Sequence, residues 1–156
     1  GIEITNSGHE FNYKKFTKKQ INSLLKLSRF LIKKYNINPK NILGHSDIAP
    51  ERKKDPGEKF PWKYLSQKEV GLWHTIKEHE LIKNRKIKTT KIDKELFINN
   101  LFKIGYSKKS LKNVSKDKYL NYIIKAFQRR FRKELINGKI DQECLIICQN
   151  LIKRFK

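Results

Sequence analysis

His45 and Asp55 are the two side chains whose types and spacing best suit them to hold a cation. They lie in the run Gly44-His45-Ser46-Asp47-Ile48-Ala49-Pro50-Glu51-Arg52-Lys53-Lys54-Asp55-Pro56-Gly57-Glu58-Lys59-Phe60-Pro61-Trp62. Imidazole nitrogen and carboxylate oxygen are both donors that zinc accepts. The prolines at 50, 56 and 61 stiffen the path between and beyond them. On spacing alone, a hydrogen-bonded structural histidine fits the same pattern. A stretch of this length without hydrophobic period inside a compact domain is functional or disordered.

Regular elements must position this loop. Residues 1–6 alternate, with Ile2 and Ile4 on one side and Glu3 and Thr5 on the other, which predicts a strand. Residues 7–16 read as a loop. Thr17 followed by Gln20 is a capping-box signature, and Ile21, Leu24, Leu25, Leu27, Ser28, Leu31 and Ile32 mark an amphipathic helix to about Tyr35, stopped by Asn38-Pro39. Residues 41–44 predict a short buried strand that delivers His45. From Gly71 to Lys91 the pattern is polar and basic, a linker with some helix. Three amphipathic segments follow: Asp93 to Ile104 with Asp93 as N-cap, Lys116 to about Leu135, and a last helix capped by Asp141 and lined by Leu145, Ile146, Cys148, Ile152 and Phe155. The fold class read from this order is α/β, followed by a small all-α three-helix bundle. The domains expected are residues 1–76, a linker at 77–91, and residues 92–156.

Composition excludes several classes. The 156 residues hold no run near the ~18 apolar residues of a membrane span. Two cysteines, at helical spacing, exclude a disulfide scaffold. Thirty Lys and seven Arg against 15 acidic residues give a net charge of +22, divided as +8 before residue 74 and +14 after it. A bias to Lys, Ile and Asn also follows from A+T-rich coding, so charge alone names no partner. The chain contains no Met and opens in mid-pattern, which points to a processed product or part of a longer polypeptide.

The nineteen-residue run from Gly44 to Trp62 resembles the signature of the zinc-dependent N-acetylmuramoyl-L-alanine amidases of type 2, the AmpD/AmiD kind. Gly1-Ile-Glu-Ile-Thr-Asn6 is similar to their catalytic-strand motif, and Gly8-His-Glu-Phe-Asn-Tyr13 to the loop after it. Leu101-Phe-Lys-Ile-Gly-Tyr106, Ala126-Phe-Gln-Arg-Arg-Phe131 and Asn137-Gly-Lys-Ile-Asp141 resemble the helical peptidoglycan-binding module appended to the AmiD-like branch. The resemblance implies the C-terminal part of an amidase mixed sheet with helices, then the three-helix module. It implies Zn²⁺ as cofactor, with His45 and Asp55 as metal ligands. It further implies Lys53 as the cation meeting the oxyanion, Glu3 as the group handling the proton of the attacking water, and His9 as a substrate contact. The implied reaction is hydrolysis of the amide joining muramic acid to L-alanine, with zinc activating the water. The family's first ligand is a histidine upstream of the Glu3 motif, where this chain starts, so the expectation is an incomplete amidase.

The implied partner is peptidoglycan or a muropeptide, in the bacterial cell envelope or periplasm, with the cytoplasm as the other compartment the family uses. Two alternatives stand beside this reading: a non-catalytic wall-binding fragment, and a basic nucleic-acid-binding module. Against the latter, Phe127-Gln128-Arg129-Arg130 lacks the Trp and Asn of a homeodomain recognition helix. Its basic face reads instead as a solvated helix surface with no specific nucleic acid.

Overall fold

Thr17 Oγ1 accepts the N–H of Gln20 at 3.2 Å, and Gln20 Oε1 accepts the N–H of Thr17 at 2.9 Å. This reciprocal cap satisfies two donors that a helix start leaves unpaired. Helix α1 follows from Lys18 to Tyr35, burying Ile21, Leu24, Leu25 and Ser28, and ends at Asn36 with φ 48°. Leu27, expected on that face, is exposed. The computed structural model describes residues 1–110 and 113–154. After α1 come a 3₁₀ turn at Pro39–Asn41, α2 (His45–Ile48), α3 (Trp62–Gln67), α4 (Glu78–Asn84), α5 (Lys91–Lys103), α6 (Lys116–Phe131) and α7 (Gln142–Arg154).

The described residues hold seven α-helices and no strand, so the α/β expectation, with its partial mixed sheet, is overturned. Residues 1–6 are not in a ladder: Ile2 is exposed and Ile4 rests half-buried against the α1 cluster. Residues 41–44 also lack a ladder, with Ile42 half-buried and Leu43 exposed. Alternation makes a strand only when a second strand takes up its N–H and C=O groups. Among the described residues the one β-type contact is an isolated bridge between Lys88 and Asp141.

The helix ends also shift from their expected places. Thr90, not Asp93, caps α5, because the Asp93 carboxylate reaches back to the Thr90 N–H and hydroxyl, both at 2.9 Å. These bonds hold the Asp93 carboxyl below its usual range. Helix α6 stops at Phe131 because Arg132 turns inward to Asp141 at 3.1 Å. Gln128 then fixes the following turn, accepting the N–H of Asn137 and Gly138 and donating to the Lys139 carbonyl at 2.8 Å. Asp141 caps α7 through the N–H of Cys144 at 3.0 Å. Phe155, expected to line α7, lies outside the described residues.

Two hydrophobic clusters form among the described residues. One joins Phe97 and Leu101 of α5, Ile123, Phe127 and Phe131 of α6, and Ile147, Cys148 and Leu151 of α7. The other joins Ile21, Leu24 and Leu25 of α1 to Phe60, Trp62, Leu65 and Val70. Trp73 packs against both. Free Cys144 and Cys148 are buried in the first, and burial pushes the Cys144 thiol up to about 12. In the expected linker, Arg85 makes a two-pronged contact with the fully buried Glu143 at 2.8 and 2.7 Å, tying the end of α4 to α7.

His74 is buried beside Trp73, with ring centroids 5.0 Å apart. Burial, then the charges of Lys63 and Arg154, push its pKa from 6.5 down to about 4. The unfolded chain therefore binds a proton that the folded chain refuses between those values. Stability contributed by neutral His74 is complete above pH 6.5 and falls as pH drops toward 4. Chemical denaturation of the native chain should lose up to about 3 kcal/mol across that window, and His74→Leu should remove this component of the slope.

Candidate active site

Nδ1 of His45 lies 3.1 Å from Oδ2 of Asp55, and both side chains face solvent. Two close approaches bring them together. The N–H of Ser46, in the first turn of α2, donates to the Asp55 carbonyl at 2.8 Å. Gly44 passes so near the returning loop that a Cβ there would stand 2.7 Å from Pro56 Cδ. Side chains larger than hydrogen at position 44 would push the two segments apart.

The loop at 8–13 packs on the far side of the same turn. Gly57 takes φ +83°, and a Cβ on it would lie 2.5 Å from the Tyr13 hydroxyl and 2.9 Å from His9 Cε1. The Tyr13 hydroxyl donates to the Pro56 carbonyl at 2.6 Å and accepts the N–H of Lys59 at 3.1 Å. Burial raises its pKa to about 12, so it remains a donor at neutral pH. His9 Nε2 sits 2.9 Å from Glu58 Oε2. Burial alone would raise the Glu58 carboxyl, but the bond from His9, with Arg129 behind it, holds it below its ordinary value.

Under the turn, Asp47 points inward from α2. Its Oδ2 accepts the Gly44 N–H at 2.8 Å and Arg130 Nη1 at 2.5 Å, and its Oδ1 accepts the Tyr106 hydroxyl at 2.8 Å. Arg130 also donates to the Ile42 carbonyl at 3.0 Å and lies over the Trp62 ring at 4.2 Å. The carbonyl before the His45 turn and the acid inside it are thus both held by one side chain of α6. The expectation that the basic stretch of α6 is a solvated face fails here: Gln128 and Arg130 are buried. Arg130 follows Phe127 by three residues and Ile123 by seven, so its helical phase with the core was the available signal.

Of the five expected site residues, the structure joins His45 to Asp55 and brings His9 to the adjoining turn through Glu58. Lys53 is half-buried, with its N–H bonded to the Ala49 carbonyl at 3.0 Å. Glu3 is exposed and lines a groove of about 410 Å³ along α1 with Ile2, Ile4, Thr17 and Leu24, which shares no lining residue with the His45–Asp55 pair. The 3.1 Å separation of the pair is close to the roughly 3.3 Å edge of a tetrahedron with zinc–ligand bonds of about 2.0–2.1 Å. The two donors fit two corners of a zinc site. Among the described residues no group of three His, Cys, Asp or Glu converges, so the third protein corner is not supplied there.

Residues 1–58 match the N-acetylmuramoyl-L-alanine amidase family. The matched span contains the whole His45–Asp55 turn and the His9 loop. The chain is also 32% identical to the N-acetylmuramoyl-L-alanine amidase AmiD of Escherichia coli K12, over 99% of its own length and 57% of that protein. A 68-residue stretch is 44% identical to the 1,6-anhydro-N-acetylmuramyl-L-alanine amidase AmpD of Haemophilus influenzae, covering 35% of it. Among solved structures, the E. coli AmiD complex with anhydro-N-acetylmuramic acid-L-Ala-D-gamma-Glu-L-Lys superposes with TM-score 0.76, over 93% of this chain and 55% of that one. AmpDh3 of Pseudomonas aeruginosa gives 0.74 at 30% identity, over 93% of this chain and 56% of that one. The chain thus spans little more than half of its full-length relative.

Removing the acid under the turn should cost more than removing the pair. Asp47→Ala leaves the Arg130 charge buried and should lower unfolding free energy by about 3–5 kcal/mol, whereas Asp47→Leu with Arg130→Met should recover most of that loss. Urea denaturation of the three proteins checks this. Equal losses in single and double variants would remove the ion pair from its structural role.

Proposed function

We propose that this chain is part of a zinc-dependent amidohydrolase that cleaves the amide between N-acetylmuramic acid, or its anhydro form, and L-alanine in cell-wall turnover. The observation that carries the reading is the solvent-open His45–Asp55 pair at 3.1 Å, inside the residues that match the amidase family. In this reading residues 1–76 form the catalytic part and residues 92–156 a wall-binding part joined through 77–91. The protein acts in the bacterial cell envelope on peptidoglycan or muropeptides.

His45 and Asp55 would hold the metal, with a further donor from outside the described residues. Zinc supplies Lewis acidity there, polarising a carbonyl and bringing the pKa of water toward about 7. Lys53, two residues before Asp55 on a turn fixed by the Ala49 carbonyl, offers a positive charge to the oxyanion that develops in the transition state. Glu3 takes a proton from water and returns it to the leaving amine, which requires the 1–6 segment to come within hydrogen-bond reach of the scissile bond. His9, braced by Glu58, borders the same turn and contacts substrate.

Elemental analysis after dialysis, run beside peptide release from purified peptidoglycan, tests the reading. Retained zinc with release of peptides beginning at L-alanine supports it. Sedimentation with sacculi without zinc or release would favour a wall-binding fragment instead. In the polypeptide that retains zinc, Asp55→Ala should lose both metal and amide cleavage. Lys53→Ala should keep the metal and lose turnover by about 10²-fold or more, with little change in KM. Metal loss in Lys53→Ala with the fold intact would overturn the division of roles.

A further inference from the structure

Among the described residues the outer face of α1 supplies no member of the His45–Asp55 pair or of either hydrophobic cluster, and at its edge Lys19 and Leu27 also line the groove that Glu3 borders. The helix carries Lys18, Lys19, Lys26, Arg29, Lys33 and Lys34 and no acidic residue. At 100° per residue, Lys19, Lys26, Phe30, Lys33, Lys34 and Leu27 fall within an arc of about 120°, opposite the buried Ile21, Leu25 and Ser28. The lysines are exposed, and so are the two large apolar side chains among them: Phe30 is 59% and Leu27 44% accessible. The Lys34 ammonium sits 5.7 Å from the Phe30 ring centre and 5.3 Å from that of Tyr35, another exposed ring at the end of the helix.

Charge decides what such a face accepts. A second copy of this chain would set like charge against like on molecules of net charge +22. A nucleic acid or an anionic glycan would answer the lysines and stack at most on Phe30, leaving the aliphatic Leu27 in water. An anionic bilayer surface answers both. Aromatic and aliphatic side chains enter the headgroup region, while lysine stems lie along it and their ammonium groups meet lipid phosphates. We propose that α1 docks this protein on anionic phospholipid membrane, with Phe30 and Leu27 inserted and Lys19, Lys26, Lys33 and Lys34 on the headgroups. The surface is independent of the His45–Asp55 site.

Flotation of the full chain with vesicles tests it. The chain should float with phosphatidylglycerol/phosphatidylethanolamine vesicles and stay behind with phosphatidylcholine alone. Lys26→Glu with Lys33→Glu should lower partition at least about tenfold, and Leu27→Ser with Phe30→Ser about tenfold at unchanged charge. The same charge reversal on α5, Lys91→Glu with Lys94→Glu, should change it by less than about threefold, since it lies off the docking face. Circular dichroism checks that each variant keeps its helices. If one does not, the lipid comparison with the native chain decides alone. Absence of flotation with anionic vesicles overturns the proposal. So does an α5 control as damaging as the α1 pair, or an apolar double variant that binds like the native chain. Binding confined to DNA or to sacculi overturns it as well.

Discussion

The Arg130–Asp47 contact joins residues 83 positions apart, and the geometry of the candidate site depends on it. Each side chain is only 5% exposed, so both charges have given up their water. Such a pair is stable only when the remaining hydrogen-bonding capacity is filled. Here the Gly44 N–H, the Tyr106 hydroxyl and the Ile42 carbonyl fill much of it, and the Trp62 ring covers the guanidinium. All of these groups except Tyr106 belong to segments that lead into or out of the His45 turn. The C-terminal helices therefore set the direction in which His45 leaves the chain. The neighbouring Arg129 approaches Glu58 at 3.9 Å and extends the same control to the His9 side of the turn.

In a chain with thirty lysines and seven arginines, it is arginines that pair with carboxylates among the described residues. Arg29 donates twice to the Lys68 carbonyl, Arg85 forks onto Glu143, Arg129 approaches Glu58, Arg130 holds Asp47, and Arg132 reaches Asp141. A planar fork with several fixed donors suits buried carboxylates, whereas a lysine ammonium is better left hydrated. The large positive charge and the fold's internal electrostatics thus come mostly from different residues.

What could be read from residues alone followed the range of the interaction. Local chemistry was legible: the Thr17–Gln20 cap, the Asp141 cap and the buried phase of Ile21, Leu24 and Leu25 need only neighbours along one helix. The start of α5 was misplaced by three residues because Thr90 and Asp93 each make a plausible cap, and only the carboxylate reaching backward decides between them. Strand character at residues 1–6 and 41–44 depended on a partner segment, which periodicity does not report. The His45–Asp55 pair was legible as two residue types at a spacing. The acid beneath it was not, because Asp47 acquires its meaning from Arg130, and Arg130 was one cation among many.

Burial of the two thiols has a practical side. The nucleophile in alkylation is the thiolate, and Cys144 and Cys148 sit in apolar surroundings that keep both protonated and out of reach. A maleimide reagent would find no native target in the folded protein. One cysteine introduced on the surface would then carry a fluorophore or spin label alone, with both native residues left in place.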